Sequence, residues 1–270
     1  MFNHKELNIP TILKQFRIPI ENSLMTYTSI QQHHFTTSLT DSKFGGLPYL
    51  PLTAHYPKDD DGHDMMLLAQ INLKDAQLEA PFPSEGMLQF FISPYLYEYT
   101  KQNPNIAEEK NLFYIRYFPY LLEEREIETK FDFLQIEPAN YFPIKYCRSL
   151  TFEKKQEPVN ATDYRLYTYM NQTSLEQIAD EDGRTYEEIY LEHYQGAEHK
   201  LSGYPYFLHE DIRLASLPHR SYDTLLLQII SDDEDGIHWG DMGVIKFFIN
   251  KQDLQNLDFS NVYLHVEDYS

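Results

Sequence analysis

The chain has 270 residues, and its 42 acidic side chains against 22 basic ones give a formal net charge of -20. This charge repels a phosphate backbone and an anionic bilayer, so neither nucleic acid nor membrane is an expected partner. The same field favours basic proteins, cationic ligands and divalent metal ions. Aromatic residues make up 15% of the chain, dominated by 22 Tyr and 17 Phe, and predict a β-rich fold because flat rings suit a pleated surface.

The cellular compartment is suggested by what the sequence lacks. Cys147 is the single cysteine, so no intrachain disulfide or cysteine zinc site can form. Residues 1–20 carry charges throughout and lack the apolar core of a signal peptide, and no later run reaches the ~18 apolar residues of a membrane span. We therefore expect a cytoplasmic protein in a reducing compartment.

Local patterns predict several elements along the chain. PTILKQFR at residues 10–17 predicts a short helix, and the polar residues 102–111 predict a surface loop. Residues 145–154 have strand character. Residues 174–183 predict a helix, and a further helix in RTYEEIYLEHYQG is expected to end near Gly196, since glycine is the usual helix-terminating residue.

The strongest internal signal is a repeat, in which three blocks recur in the same order after 157 or 158 residues. Each unit therefore predicts a Gly-Pro turn followed by three strands, the third weakly matched between residues 111–118 and 261–268. The matched pairs are KFGGLPY at 43–49 with KLSGYPY at 200–206, LLAQI at 67–71 with LLLQI at 225–229, and GMLQFFI at 86–92 with GVIKFFI at 243–249.

The repeated residues are expected to be structural. Glycine at the turns can adopt positive φ, and the following proline keeps the chain extended. A glutamine inside each apolar strand would cost about 1 to 3 kcal/mol if it were unpaired, so each is expected to bond to backbone, for example to its own unit's turn. The residues concerned are Gly46, Pro48, Gln70, Gly203, Pro205 and Gln228.

These patterns together predict an α+β, β-rich fold with large, mainly antiparallel sheets, built from two pseudo-repeats with a partly helical connector. Pseudo-repeat one is placed at about 42–119, the connector at 120–199 and pseudo-repeat two at about 200–270. No low-complexity linker separates the halves, so a single domain over 1–270 is expected.

Five blocks resemble the YwqG-like family of bacterial proteins, and the likeness extends from Ser42 to the C-terminus. They are SKFGGLPYLP at 42–51, MMLLAQINL at 65–73, FPSEGMLQFFI at 82–92, LLLQIISDD at 225–233 and WGDMGVIKFFI at 239–249. The resemblance implies a mixed α and β fold with large antiparallel sheets, and it carries over no catalytic residues. Some relatives are encoded near secreted toxin systems, which implies an immunity or toxin-associated role.

The acidic loop 231–241 is the main candidate site, because the corresponding connector of the first unit has no such cluster. An EF-hand is excluded: with Gly236 at position 6 of a calcium loop, Met242 falls at position 12, where a bidentate Glu is needed. A looser divalent-metal site remains as an alternative to a solvated turn. The candidate ligand or partner-binding residues are Asp232, Asp233, Asp235, His238, Trp239 and Asp241, of which Asp233, Asp235, His238 and Asp241 are the metal candidates.

The WGDMG segment that ends this loop is expected to be mainly structural. Trp239 is predicted to pack against the sheet, since an indole carries a large apolar surface. Gly240 and Gly243 flank Asp241 and predict a turn that needs positive φ or an Asp side chain bonded to backbone.

No common catalytic motif is present: the chain lacks a GxSxG elbow, a P-loop and a GxGxxG after a strand. Whether it is an enzyme stays open, because catalytic triads can assemble from distant residues.

The first hypothesis for the function is a cytoplasmic binding protein whose acidic surface binds a basic protein such as a toxin. The alternative is a divalent-metal-binding protein or hydrolase using loop 231–241, and a third is a small-molecule pocket at the junction of the two units. No cofactor is predicted apart from that metal ion.

Overall fold

A computed structural model describes residues 7–103, 107, 110–134 and 142–269, so half of the loop expected at 102–111 lies outside the described residues. The described strands form one sheet. They are β1 (Met25–His33), β2 (Lys43–Phe44), β3 (Met66–Asn72), β4 (Met87–Ile92), β5 (Phe113–Phe118), β6 (Arg148–Glu157), β7 (Lys200–Ser202), β8 (Thr224–Ile230), β9 (Val244–Ile249) and β10 (Val262–Glu267).

The sheet has the strand order β10-β9-β8-β7-β1-β6-β2-β3-β4-β5, and its neighbouring strands are antiparallel. The long strands β1 and β6 pair at the centre, and the two units extend outward from them in the same internal order. The predicted β-rich α+β class and its mainly antiparallel sheet are therefore confirmed.

The two halves also share their register. Lys43 lies opposite Gln70 where β2 meets β3, and Lys200 lies opposite Gln228 where β7 meets β8. A register shift between Leu67 and Ala69 on β3 recurs between residues 225 and 227 on β8. The duplicated sequence is therefore accompanied by a duplicated backbone irregularity, which is a regular feature of this strand pair and not a defect.

The buried glutamines hold the Gly-Pro turn of their own unit. Gln70 Oε1 accepts a hydrogen bond from the Tyr49 backbone N–H at 2.7 Å, and its Nε2 donates to the carbonyls of Leu39 and Asp41. Tyr49 directly follows Pro48. Both polar ends of this fully buried amide are thus satisfied, which removes the penalty of burying it.

Gln228 makes the same set of bonds in the second unit. Its Oε1 accepts from the Tyr206 N–H at 2.7 Å, directly after Pro205, and its Nε2 donates to the carbonyls of Gly196 and Glu198. In the turns themselves, Gly46 has φ +75° and Gly203 has φ +81°, which an L side chain rarely adopts.

The main core lies between the two halves of the curled sheet. Its cluster includes residues from both units, and the rings of Phe90 on β4 and Phe247 on β9 are 5.1 Å apart. Strands β4 and β9 are buried at all six positions, because smaller apolar clusters cover their outer faces. A separate core gathers the N-terminal helices and the connector around Leu13, Ile20 and Tyr190.

Short helices connect the strands, and every α-helix described has at most eight residues. They are α1 (Arg17–Asn22), α2 (Leu73–Ala76), α3 (Leu96–Gln102), α4 (Leu166–Tyr169), α5 (Gln172–Leu175), α6 (Tyr186–His193), α7 (Ile212–Ala215) and α8 (Lys251–Gln255), with 3-10 helices at Thr11–Phe16, Glu124–Glu126 and Pro218–Ser221. Among the described residues, none of these helices has the length and apolar character that a bilayer crossing demands.

The helix predicted over 174–183 is wrong in extent. The helix α5 ends at Leu175, and Ile178 then forms an antiparallel bridge with Thr185. The Asp180 carboxylate accepts hydrogen bonds from the backbone N–H groups of Asp182 and Arg184. These side-chain bonds offer the backbone a turn in place of the helix ladder.

Candidate functional site

The acidic loop 231–241 folds back onto the segment that precedes β6. Ile237 pairs with Asp232 inside the loop and with Ile144 across to that segment. The Lys145 backbone N–H donates to Gly236, and the His238 backbone N–H donates to Pro143. The loop is therefore a packed part of the structure and not a free turn between β8 and β9.

The Asp232 carboxylate points toward the central strands. The interaction with the His199 imidazole, 3.9 Å away, lowers the pKa of Asp232, and hydrogen bonds from the Asp235 backbone and the Gln32 amide (3.0 Å) help to bring it to about 2. Asp232 is thus an ionised acceptor whose polar contacts already lie within the chain.

Asp235 contacts His34, which directly follows β1, and Arg148 at the start of β6. Its Oδ1 lies 3.0 Å from His34 Nε2 and 3.5 Å from the Nε of Arg148, a guanidinium that is almost fully buried. A buried cation without a partner is costly, so this carboxylate has a clear stabilising role.

The other candidates point elsewhere. Asp233 is exposed at the tip of the loop, with its Oδ1 2.9 Å from His238 Nδ1. Asp241 is exposed at the next turn, where its carbonyl accepts from the Tyr269 N–H. Across the described residues, no three His, Cys, Asp or Glu side chains are grouped so that they could hold a metal ion. The metal site therefore stays a prediction without support from the geometry.

Trp239 is 1% exposed and belongs to the main core, where it packs with residues of both units. Its backbone N–H donates to the Ser231 hydroxyl at 2.9 Å, and its carbonyl accepts from the Gly243 N–H. Gly240 has φ +57° and lies against Asp268, so that a Cβ would meet the Asp268 carboxylate at 1.9 Å. The WGDMG segment thus forms a tight corner that buries Trp239 and Gly243 and leaves Asp241 and Met242 exposed.

Sequence reasoning missed an acidic face on the connector, around α5, α6 and the turn between them. It contains one cation, Arg184, which is bonded to Asp180 at 2.7 Å and to Glu192 at 3.0 Å. The signal was visible as a run of acidic residues with a single base. We define the acidic face by Glu176, Asp180, Glu181, Asp182, Glu187, Glu188 and Glu192.

Buried ion pairs were missed as well. Lys246 on β9 is fully buried and paired with Glu267 on β10, and Lys200 on β7 is paired with Glu157 on β6 at 2.8 Å. The signal for the first was a lysine inside the apolar strand GVIKFFI, at the position that Gln89 occupies in GMLQFFI.

A cleft of about 460 Å³ lies where the units meet the central strands. It is lined by the start of β1, by residues 77–81 of the first unit and by residues 202–203 and 223–225 of the second. We call it the junction cleft. Its volume is in the range of roughly 300–1,000 Å³ that is typical of small-molecule pockets.

The comparison with known families agrees with the extent of the repeated scaffold. The model of a domain of unknown function, DUF1963, matches residues 42–267, which include both units and the connector. The chain belongs to this family. Strand β1 at the centre of the sheet precedes the matched region. No curated protein matches the chain.

Proposed function

We propose that this protein is a binding protein that takes a basic partner on the acidic face of its connector. The observation that carries the proposal is the concentration of seven carboxylates around α5 and α6, with Arg184 as their single cation and with that cation already held by Asp180 and Glu192. Such a surface attracts and orients a positively charged protein, and complementary charge accelerates association.

Apolar side chains within this face support a protein partner over a small cation. Ile178 is 70% exposed beside the carboxylates, and Tyr167 is partly exposed with its hydroxyl donating to Glu187 at 2.7 Å. Partial burial of Tyr167, together with this bond, raises the pKa of its hydroxyl. Protein interfaces commonly combine an apolar centre with a charged rim.

The acidic loop is a weaker candidate for the same task. Asp232 and Asp235 are engaged with Gln32, His34 and Arg148. Of the carboxylates predicted as candidates, Asp233 and Asp241 are the exposed ones, and Asp233 lies 2.9 Å from His238. Carboxylates that already neutralise internal cations contribute less to the field at the surface.

A matched pair of charge reversals tests which surface binds. The probe is a small basic protein such as cytochrome c, measured by calorimetry from about 20 to about 300 mM NaCl, a range over which exposed charges become screened. Glu181→Lys with Asp182→Lys should weaken binding about tenfold or more. Asp233→Lys with Glu234→Lys changes the net charge equally and should have a smaller effect.

Two outcomes would overturn the proposal. Affinity that does not change with salt rules out an electrostatic mechanism. A larger loss from the reversal at 233 and 234 than from that at 181 and 182 moves the binding surface to the acidic loop.

The sequence resemblance adds a family and a natural partner to this proposal. The family is proposed to be the YwqG-like one, and a basic toxin is the first natural partner to test, in a cytoplasmic setting. The alternative of a divalent-metal-binding protein or hydrolase is tested by titration with calcium, magnesium, manganese and zinc. A heat of binding or a rise in melting temperature would support it.

A further inference from the structure

The junction cleft presents both signs of charge on the sides contributed by the two units. On the first unit's side, Lys154 Nζ lies 2.6 Å from Glu79 Oε1. On the second unit's side, Asp223 lies beside Lys251, whose backbone N–H it accepts at 2.9 Å. Each of these two pairs therefore supplies one cation and one anion, both at least partly open to solvent. Arg165 of the connector adds a third cation to the lining, and it is already paired with Asp163 at 2.7 Å.

Ser202 lines this cleft in a backbone conformation that is unfavourable for serine. Its φ is +63°, and the equivalent residue of the first unit is Gly45 with φ +66°. A side chain in the left-handed region costs on the order of 1 to 2 kcal/mol, which glycine avoids. The second unit thus keeps a hydroxyl at a position where the scaffold itself favours glycine.

The Ser202 hydroxyl is also available to a ligand. It forms no hydrogen bond with the part of the chain that the structure describes, and the residue is partly exposed. Backbone strain retained at a cavity wall points to a role in binding, because strain is commonly retained where it serves a site. Thr26 on β1 adds a second hydroxyl to the same cleft, and Leu78 and Leu225 add apolar walls.

We propose that the junction cleft binds a small zwitterionic molecule of dipeptide size. Each side of the cleft carries a cation and an anion, so a ligand with a single charge would lie near a group of the same sign on whichever side it bound. A zwitterion can set its carboxylate near Lys154 or Lys251 and its ammonium near Glu79 or Asp223. The hydroxyls of Ser202 and Thr26 are then suited to bond to the central amide.

The proposal is tested with four probes in calorimetry at low salt. They are alanyl-glutamine, its N-acetyl form, its C-terminal amide and a neutral disaccharide. The free dipeptide should bind about tenfold more tightly than each of the other three, a difference of about 1.4 kcal/mol. Equal affinity for a blocked form, tighter binding of the disaccharide, or no binding of the dipeptide overturns the proposal.

Variants separate a binding role from a structural one. Ser202→Gly copies the first unit and should raise the melting temperature, yet weaken dipeptide binding about threefold or more. Thr26→Trp should fill the cleft and abolish binding. Lys251→Gln should weaken binding several-fold. Lys14→Gln, at an exposed lysine of the N-terminal 3-10 helix, is the control and should not change it.

Unchanged dipeptide binding in Ser202→Gly and Thr26→Trp overturns the assignment of the junction cleft as the binding site. None of these residues belongs to the acidic face, so this test and that of the basic partner can fail independently.

Discussion

At the scale of single residues, the second unit replaces a neutral polar group with a buried charge. The Gln89 amide donates to the Tyr49 carbonyl at 2.7 Å, and at the equivalent place the Lys246 ammonium donates to the Tyr206 carbonyl at 2.8 Å. Burial lowers the pKa of Lys246 to about 8, although the nearby Glu267 opposes this shift. The lysine is retained as an ion because its partner is buried with it.

The residue Glu267 is therefore expected to be essential for stability. Glu267→Gln leaves the buried Lys246 ammonium without a counter-charge and should lower the free energy of unfolding by about 3 to 5 kcal/mol. Urea unfolding at neutral pH measures the loss. Glu124→Gln, at an exposed position, is the control and should change stability by less than about 0.5 kcal/mol. A loss below about 1 kcal/mol for Glu267→Gln would contradict this role.

The same carboxyl predicts an acid dependence with a definite sign. Burial opposes ionisation of Glu267, but the His265 imidazole, 3.3 Å away, and the hydrogen-bonded Lys246 ammonium outweigh it and hold its pKa at about 2, below the ordinary 4.5. Its contribution to stability is complete above about pH 4.5 and is lost as the pH falls toward 2. Unfolding midpoints at about pH 5, 4 and 3 should fall less steeply in Glu267→Gln than in the parent protein. Parallel slopes would mean that Glu267 is not the group responsible.

The duplicated glutamine gives a second residue-scale prediction. Gln228→Leu removes the partner of the part-buried Tyr206 N–H and of the Glu198 carbonyl, and one of the two bonds to the Gly196 carbonyl, and should cost about 2 kcal/mol. Gln177→Leu, at an exposed position, is the matched control. Similar unfolding free energies for the two variants would show that water replaces the lost bonds.

At the scale of elements, the corner between the acidic loop and β9 is set by close backbone packing. A Cβ at Gly243 would meet the Trp239 carbonyl at 2.0 Å and the Glu267 carbonyl at 2.4 Å. Both contacts are with backbone, which cannot move aside as a flexible side chain can. Glycine is needed here for space, since φ at Gly243 is not in the left-handed region.

Gly243→Ala is accordingly expected to cost about 3 kcal/mol or more, or to prevent folding. Gly183→Ala is an informative control, because Gly183 has φ +81° but nothing within 4 Å of an added Cβ, so it should cost only about 1 to 2 kcal/mol. Thermal and urea unfolding of both variants measure the difference. A greater loss at Gly183 would show that conformation and not space limits these turns.

At the scale of the whole molecule, the acidic excess lies on the surface. Among the described residues, five buried Lys and Arg side chains accompany six buried Asp and Glu side chains, so the interior is nearly neutral. The buried groups therefore account for little of the net charge of -20, and the exposed and partly exposed acids of the described residues repel one another.

Screening this repulsion should stabilise the fold. Raising NaCl from about 20 to about 500 mM is expected to raise the urea midpoint of the protein, since exposed charges are screened beyond a Debye length of a few ångströms at the higher salt. The charge reversal Glu181→Lys with Asp182→Lys should reduce this salt dependence. A midpoint that falls with salt would show that exposed ion pairs outweigh the repulsion.

The sequence by itself determined the repeated strands, the two Gly-Pro turns and the class of fold, because these follow from local periodicity and from blocks that recur intact. It also indicated the special position of Gln70 and Gln228, since a lone amide in an apolar strand must find a partner. The extent of the 174–183 helix could not be obtained in this way, because Asp180 bonds to the backbone of its own turn.

Only the tertiary structure decided what the acidic loop does. The carboxylates of Asp232 and Asp235 contact three side chains that are distant in the sequence: Gln32, His34 and Arg148. These side chains reach the loop because β1 and β6, on or beside which they lie, form the centre of the sheet. The junction cleft likewise exists because two units separated by a connector are folded against those central strands. Local patterns specify which residues form strands. The neighbours of a charged side chain depend instead on the order of the strands in the sheet. That order follows from packing the two halves into one core.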